Sequence, residues 1–581
     1  MKNHKYSLAA IIILAFVVRF WNLNTFPALN ADEAALGYNA WSLLETGMDE
    51  HGNSWPIHFQ SFNDFKPGLM VYLILPFVKV LGLTAWAVRI PGALAGVGTV
   101  FIVYRLIIDG QLLMVSSEDK TFQKDSIMKN QRLAIIASLF LAISPWHIHF
   151  SRGGWEVNVA TFFMTAGVWL FLRSVRHKVD SAGSDPAAQS LTLVVSAVSF
   201  ALSLYTYHSA RLVVPLLGIG FAVLYWRELW SRLISVIGAL LVFGIMIMPL
   251  MIDLTTDAGF SRAAGVGIFA DSGPLSEINE QRGEHAQLDS LESKLLHNKP
   301  LNYSLAIAEN WTEHYSGEFL FLSGDDIQRN RVPEHGQMYM FDVVVVIIGL
   351  FVVRKARHHK VILLWLLVAP SAASLTFQSP HALRAQNMVI PLVIIAAFGF
   401  VEIVDKSKEK ISIFSLRTTF NVLLITLLVW GFARYQQLYW NHMPREYPFS
   451  SQYGVAELMD YVVENQEKYE KIIITDRYDQ PYILALFYLK YPPDIFQSEH
   501  VLTARDGFGF STVRDFGKQS LQDGQTSYKF TFVSLSEWSD IASSNPNTLI
   551  AGTDKEIPDA ANIVKTIYFP NGDIAFQVVA N

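Results

Sequence analysis

Apolar residues along this chain are gathered into long blocks that short charged segments separate. A run of about 18 apolar residues is enough to cross the hydrocarbon core of a bilayer. We count twelve such segments: 6–22, 68–83, 87–108, 132–145, 155–173, 191–206, 212–226, 233–251, 339–353, 361–377, 387–404 and 418–434. Because a bilayer offers no water to backbone polar groups, these repeated blocks predict an all-α polytopic bundle in the cell membrane.

The charges of the connecting segments indicate which helix ends face the cytoplasm. Five connections are rich in lysine and arginine: 109–132, 173–190, 227–232, 354–360 and 405–417. Positive charge marks cytoplasmic loops, so these five and the N-terminus are predicted to lie inside. The scheme requires that segment 68–83, which contains Pro76, Lys79 and Gly82, lies at the interface. It gives about eleven spans; the alternative of twelve would place the first loop inside.

The last 147 positions or so have a different pattern. One helical face collects five apolar residues: Val455, Leu458, Met459, Val462 and Val463. Lys471–Thr475, Phe530–Val533 and Ile574–Val579 are rich in β-formers and predict strands. We therefore predict a membrane domain over 1–434, with outward loops 23–86 and 252–338, followed by a small extracytoplasmic α/β or α+β domain over 435–581.

Overall composition excludes several classes of function. The chain has 581 residues, of which 51% are hydrophobic, and a formal net charge of −6 at pH 7. The negative charge gives no indication of nucleic-acid binding. The chain has no cysteine, so disulfides and thiolate metal sites are excluded.

Two adjacent carboxylates, Asp32 and Glu33, follow the first apolar block. One of them could act as a general base on an acceptor hydroxyl. Equally, acidic residues in a first helical turn complement the helix dipole, which is a structural role. Lys66 lies just before the interfacial segment 68–83. It could bind a phosphate as a point charge, or it could extend its ammonium to the membrane surface.

Three short loops that we predict to face outward each combine one arginine with polar groups. Their members are Arg152 with Glu156, Arg211 with Tyr207 and His208, and Arg384 with His381. Arg152 and Glu156 are four residues apart and would share a face of a helix, as an ion pair or as a contact with phosphate and a sugar hydroxyl. The second loop suits interfacial anchoring as well as binding, and the third suits an anion clamp or a polar turn. Their coincidence on one side favours a site for an anionic head group.

Three features near the N-terminus together resemble the start of the GT-C membrane glycosyltransferases. They are Asp32-Glu33 after the first span, Lys66-Pro67, and the stretch Arg89-Ile90-Pro91-Gly92-Ala93-Leu94-Ala95-Gly96. The similar group is family 39-like and includes the protein O-mannosyltransferases and lipid A aminoarabinose transferases. The resemblance covers about residues 1–434. Some relatives have two prolines and a preceding His or Glu near the lysine, where this chain reads Asp64-Phe65-Lys66-Pro67-Gly68, and Glu156 stands where some relatives have Asp.

The resemblance implies a transferase that uses a polyprenyl-phosphate-linked sugar on the non-cytoplasmic face and inverts the anomeric centre. It implies an acceptor-activating role for Asp32, with Glu33 beside it, and donor-phosphate binding by Lys66 and, with less specific motifs, Arg152, Arg211 and Arg384. Glu156, Tyr207, His208 and His381 are the expected substrate-binding residues. The acceptor would be a glycan, a lipid or a protein.

Other interpretations remain open on the sequence alone. A secondary transporter would place ionisable residues deep within spans, and a glycan polymerase or ligase would use a different donor. A receptor-like scaffold would depend on residues 435–581. No cofactor is required by the sequence, although an acidic pair is compatible with Mg²⁺ or Mn²⁺.

Overall fold

The structure is a computed structural model. It describes residues 2–62, 64–110, 120–175, 185–256, 267–270, 273–287, 290–411, 413–504, 511–520 and 526–581. The chain divides into two compact units, described separately below. The first contains the described parts of Met1–Trp21, Gly92–Thr255 and Arg262–Gln436, and the second those of Asn22–Pro91, Thr256–Ser261 and Gln437–Asn581.

Each of the twelve apolar segments coincides with a helix. In chain order the helices up to the last of these segments are α1 (Lys2–Phe20), α2 (Ala31–Thr46), α3 (Leu69–Leu81), α4 (Ala85–Gly110), α5 (Lys120–Ile143), α6 (Pro145–Ser151), α7 (Glu156–Ser174), α8 (Pro186–Leu204), α9 (Ala210–Leu224), α10 (Trp226–Trp230), α11 (Leu233–Asp253), α12 (Gly273–Gly283), α13 (Leu291–Leu296), α14 (Lys299–Glu313), α15 (Asp342–Val352), α16 (His359–Val368), α17 (Ser371–Ser374), α18 (Val389–Lys410) and α19 (Phe414–Gln437). The hydrophobic pattern therefore located the helices of these segments, whereas α2, α6, α10 and α12 to α14 were not among its predictions.

Six of the described helices are long and apolar enough to cross a membrane, or seven if the bent pair formed by α5 and α6 is one span. The predicted number of eleven is not confirmed. The helix α3 has 13 residues, which at 1.5 Å per residue gives about 20 Å. That length is short of the hydrocarbon core, as an interfacial helix requires. The chain is a multi-pass membrane protein by the number of its apolar helices.

The second unit contains a mixed seven-stranded sheet. The helices and strands of this part of the chain are, in order, α20 (Met443–Glu446), α21 (Val455–Asn465), β3 (Lys471–Thr475), α22 (Pro481–Leu489), α23 (Pro493–Glu499), β4 (Val501–Leu502), β5 (Val513–Ser520), β6 (Thr526–Val533), α24 (Trp538–Ser544), β7 (Thr548–Gly552), β8 (Ile563–Tyr568) and β9 (Ile574–Ala580). The strand order is β4-β5-β6-β3-β7-β9-β8. The strand β3 is parallel to β6 and β7, and the other pairs are antiparallel.

The three predicted strands are confirmed as β3, the end of β6 and β9. The predicted apolar face of α21 is correct for four of its five members, but Val463 is 45% exposed and lies outside the buried face. The division into units also differs from the predicted domains, because residues 22–91 group with the tail. The functional division at 434/435 stays a prediction.

Candidate functional site

The start of α2 places the two carboxylates of the acidic motif in different environments. Asn30 is the N-cap, and its side-chain oxygen accepts from the Glu33 N–H at 3.0 Å. The Glu33 carboxylate accepts from the Asn30 N–H at 3.3 Å, which completes a capping box. This geometry confirms the expected helix start. It also turns the Glu33 side chain back toward the cap and leaves Asp32 on another side of the helix.

Asp32 forms an ion pair with Lys66. The Lys66 ammonium donates to Asp32 Oδ1 at 2.5 Å, and it also lies 4.5 Å from the centre of the Phe62 ring. The side chain of Asp32 is 30% exposed and that of Lys66 is 10% exposed. Solvent thus reaches the carboxylate, and a substrate hydroxyl could reach it by the same route. The structure brings together two residues that the sequence assigned to proton transfer and phosphate binding.

A short hairpin presents Lys66. It consists of β1 (His58–Ser61) and β2 (Asp64–Pro67), and Lys66 pairs with Phe59 across the strands. Gly68 follows, and its N–H donates to the Ile57 carbonyl at 2.9 Å. A Cβ atom at position 68 would lie 2.7 Å from that carbonyl oxygen and 2.8 Å from the Phe59 ring. Glycine at this position therefore allows the hairpin to close against the start of α3.

Glu33 forms a buried ion pair with Arg89. The guanidinium donates to both carboxylate oxygens, through Nε at 2.6 Å and through Nη2 at 2.7 Å. Its remaining donors reach the backbone carbonyls of Leu23, Pro27 and Ala28. Glu33 is 1% exposed and Arg89 is fully buried. This arrangement fixes the segment before α2, and the share in catalysis predicted for Glu33 stays a prediction.

In the first unit, the Arg152 loop is built differently from the predicted shared helix face. Arg152 follows the last residue of α6, whereas Glu156 begins α7, so the two belong to different helices. Arg152 is 1% exposed, and Nη1 donates to the Val18 carbonyl at 2.8 Å and to the Arg19 carbonyl at 3.3 Å. These carbonyls end α1, so Arg152 caps that helix. Glu156 is 8% exposed.

Residues near Arg152 form a buried polar network that the sequence did not reveal. Asn158 donates to the Gly92 carbonyl at 2.7 Å and accepts from Gln386 at 3.2 Å and from Ser151 at 3.3 Å. Arg19 donates to the carbonyls of Ala142 and Leu141. These contacts tie together segments distant in sequence, which is a structural function.

The second predicted loop also contacts its own backbone. Arg211 donates from Nε to the Leu204 carbonyl at 3.2 Å, and its Nη1 lies 3.0 Å from His208 Nδ1. Tyr207 is 5% exposed, while His208 is half-buried beside it. The loop is therefore closed by its own arginine, and the roles predicted for these three residues in phosphate or substrate binding stay predictions.

The third loop is held by a buried carboxylate, Asp325. It accepts from the N–H groups of Ile327 at 2.8 Å and Ala382 at 2.6 Å, and from Asn330 at 3.0 Å. Asp325 Oδ2 also lies 3.6 Å from His381 Nδ1. Burial raises the pKa of Asp325. The residue before Asp325, Gly324, adopts a φ of +78°, a backbone conformation that glycine reaches without the steric cost of a side chain.

Two histidines complete this region. His314 Nε2 accepts from the His381 N–H at 3.1 Å, and His314 Nδ1 lies 2.7 Å from the Asn310 carbonyl. The two contacts require a neutral ring with its proton on Nδ1. Burial lowers the pKa of His314 to about 4. Arg384 donates to Thr376 Oγ1 at 2.6 Å and to Gln378 at 3.4 Å, so its predicted pairing with His381 as an anion clamp stays a prediction.

The catalytic and phosphate-binding roles of Asp32 and Lys66 stay predictions, and sequence reasoning did not identify the partner of Glu33. Arg89 begins the stretch Arg89–Gly96, yet nothing in the sequence spacing indicated that it pairs with Glu33, 56 positions away. Among the residues that the structure describes, no group of three or more His, Cys, Asp or Glu side chains could hold a metal ion. Dependence on Mg²⁺ or Mn²⁺ stays untested.

Comparison with solved structures identifies the fold. ArnT from Cupriavidus metallidurans in the apo state superposes with a TM-score of 0.53 at 12% identity, covering 98% of this chain and 97% of that chain. The same protein bound to undecaprenyl phosphate gives 0.50 at 10% identity over the same shares. These likenesses establish the fold, and the resemblance to the GT-C glycosyltransferases is confirmed at that level.

Sequence comparison gives a shorter match. YycA of Bacillus subtilis (strain 168), whose provisional name is mannosyltransferase, is 30% identical over 180 residues. The match covers 30% of this chain and 23% of the length of that relative. No protein-family model matches the chain.

Proposed function

We propose that this protein is a membrane glycosyltransferase that transfers a sugar from a polyprenyl-phosphate-linked donor to an acceptor hydroxyl, with inversion, on the non-cytoplasmic face. The observation that carries the proposal is the accessible Asp32–Lys66 pair at the start of α2. One partner of this pair has the chemistry of a general base, and the other has the chemistry of a phosphate ligand.

In the proposed reaction, the acceptor oxygen attacks the anomeric carbon while Asp32 takes the hydroxyl proton. The bond between that carbon and the phosphate oxygen breaks, and the polyprenyl phosphate leaves as an anion. The Lys66 ammonium stabilises the charge that develops on this leaving group. Because a phosphate ester already departs as a stable anion, the reaction needs no strong acid.

The short contact between Asp32 and Lys66 suggests how donor binding prepares the base. While paired, the carboxylate is neutralised by the ammonium, and its oxygen is occupied. A donor phosphate that recruits the ammonium would leave the Asp32 oxygen available to an acceptor hydroxyl. The adjacent Phe62 ring, 4.5 Å from the ammonium, keeps the lysine near this position during the exchange.

The Glu33–Arg89 pair supports this chemistry by fixing the position of Asp32. Arg89 binds Glu33 through two hydrogen bonds and binds three carbonyls of the preceding segment, so the first turn of α2 has little freedom. A catalytic group must be held within about 0.5 Å of its productive position. Glu33 is therefore proposed as a positioning residue.

The fold supports the choice of donor. ArnT, whose fold this chain shares, has been solved with undecaprenyl phosphate bound, and the matched Bacillus relative carries the name mannosyltransferase. Multiple apolar helices would keep a lipid-linked donor in the plane of the bilayer. The loops rich in lysine and arginine are predicted to be cytoplasmic, which favours an extracytoplasmic position for the site. The acceptor is proposed to be a glycan, a lipid or a protein hydroxyl.

The decisive experiment compares Asp32→Asn with Glu45→Gln in purified protein. Release of polyprenyl phosphate is measured with a panel of undecaprenyl-phosphate hexoses and pentoses and a cell-envelope extract as acceptor. Asp32→Asn keeps the shape of the side chain but accepts no proton, so we expect a rate loss of ~10²–10⁴-fold. Glu45 lies exposed on the same helix and should be neutral when changed.

Binding of undecaprenyl phosphate to Asp32→Asn, followed by thermal shift, should persist and serves as the folding control. Full transfer by a folded Asp32→Asn would remove Asp32 from the chemistry. Absence of turnover by the unaltered protein with every donor of the panel would contradict the proposed donor class.

A further inference from the structure

A groove between α15, α18 and α19 is lined by none of the candidate site residues. It has a volume of about 440 Å³, within the ~300–1,000 Å³ typical of ligand pockets. Its walls are mainly apolar and include Phe351, Val352, Ile403 and Phe420. Phe351 is 68% exposed.

One end of the groove is cationic. Lys406 and Lys410 line it, together with Glu402, and the three residues follow one another at intervals of four on α18. Residues so spaced share a helix face. Lys406 lies 3.7 Å from Glu402, and its side chain remains 57% exposed. Two lysines and one glutamate leave the lining with a net charge of +1.

The other face of the same helix end is already occupied. Asp405 accepts from Arg132 on α5 at 2.6 Å and lies 3.9 Å from Lys408. Ser407 lies 3.3 Å from Asn421, which ties α18 to α19 beside the groove. The groove wall is thus anchored on both sides, and Lys408 contacts an acidic side chain that is not part of the groove lining.

We propose that this groove binds an anionic glycerophospholipid, with an acyl chain along the apolar wall and the phosphate between Lys406 and Lys410. An apolar cleft that ends in two ammonium groups complements an amphipathic molecule with a negative head group. Lysine stems can pack along apolar surface while their ammonium groups reach that phosphate. A zwitterionic lipid of the same chain length would fill the cleft but gain less from the cations. This site is separate from the proposed transferase site.

Native mass spectrometry of the detergent-solubilised full chain tests the proposal, with phosphatidylglycerol and phosphatidylcholine of identical acyl chains as probes. The unaltered protein should retain phosphatidylglycerol in preference to phosphatidylcholine. The double variant Lys406→Gln/Lys410→Gln should lose roughly 25-fold in affinity for phosphatidylglycerol, which is about fivefold per cation near an anionic lipid. Lys408→Gln is the matched control and should bind as the unaltered protein does.

Two further arms locate the lipid. Val352→Trp fills the cleft and should weaken retention of both lipids while the lysines stay in place. A phosphatidylglycerol with a diazirine in its acyl chain should label peptides that contain Phe351, Ile403 or Phe420. Equal retention of the two lipids by the unaltered protein, or an equal loss in Lys408→Gln, would overturn the proposal. Competition by sn-glycerol 3-phosphate at the same concentrations as the lipid would overturn the role of the apolar wall.

Discussion

Two ion pairs stand one residue apart at the start of α2, and they differ in nearly every physical respect. The Glu33–Arg89 pair is fully buried, uses both carboxylate oxygens, and leaves no guanidinium nitrogen without an acceptor. The Asp32–Lys66 pair makes one short contact and keeps the carboxylate 30% exposed. Neighbouring acids in one short motif thus have different environments.

The difference follows from what burial does to charge. A buried ion pair is costly to desolvate and becomes strongly destabilising when one partner is lost, so it holds structure and exchanges partners poorly. A partly exposed pair contributes little to stability and can open when a better anion arrives. The first kind suits a scaffold, whereas the second suits a site that must bind and release a charged substrate.

The sharpest test of this contrast removes Arg89. Arg89→Met leaves the Glu33 carboxylate buried without its counter-charge, and we expect a loss of about 3–5 kcal/mol in the free energy of unfolding. Thermal unfolding in detergent measures it. The double variant Glu33→Gln/Arg89→Met should recover part of the loss, because the buried charge is gone. A stability of Arg89→Met equal to that of Lys66→Met would break the distinction between the pairs.

The same contrast between buried and exposed groups applies to histidines, and here pH is the probe. The pKa of His314 falls to about 4 in the folded chain from ~6.5 in the unfolded one. A depressed pKa means that the unfolded state binds the proton first, so the stability present above pH 6.5 is lost as pH falls toward 4. The difference of 2.5 units corresponds to ~3 kcal/mol.

His314→Gln should flatten the fall of the unfolding temperature between pH 6.5 and 4. His442→Gln is the comparison variant, because it removes a histidine that is 45% exposed in the second unit. An unchanged slope in His314→Gln would mean that the ring binds its proton equally well in the folded and the unfolded chain.

Lys66 and Arg152 provide a reciprocal pair of substitutions. Lys66→Met should weaken binding of undecaprenyl phosphate by about 1–3 kcal/mol, the value of a hydrogen bond to a charged group. It should lower the free energy of unfolding by less than Arg152→Met does, because the carboxylate that it leaves behind is 30% exposed. Arg152→Met should do the reverse, because its guanidinium is buried against the end of α1. Ligand titration and thermal unfolding of both variants give the two readings. Loss of lipid-phosphate affinity in Arg152→Met without loss of stability would restore it as a phosphate ligand.

The smallest expected effect concerns orientation. The chain lacks cysteine, so single cysteines give an unambiguous label. Glu45→Cys should react with a membrane-impermeant maleimide added to intact cells, whereas Lys355→Cys should react only after the membrane is opened, and neither should alter activity. Both positions are exposed. Labelling of both from the same side would contradict the predicted orientation.

The hydrophobic pattern of the sequence determined the location of the helices and of three strands, because burial in lipid or in a core selects periodic apolar residues wherever the chain folds. The acidic pair Asp32-Glu33 was compatible with a first helical turn, and the structure places it there, after the N-cap Asn30. The number of membrane spans is harder to derive from the sequence. Helix length depends on where packing ends each helix, and α9 and α16 have only 15 and 10 residues.

Tertiary structure alone decided which of the two carboxylates is partly exposed to solvent. Asp32 and Glu33 are equivalent in a linear reading, and Arg152, Arg211 and Lys66 all read as single cations near a membrane surface. Their roles depend on partners 34, 56 and 134 positions away for Asp32, Glu33 and Arg152, and no local propensity encodes contacts of that range. Desolvation and hydrogen-bond geometry then separated the buried Glu33–Arg89 pair from the Asp32–Lys66 pair, whose carboxylate remains partly exposed.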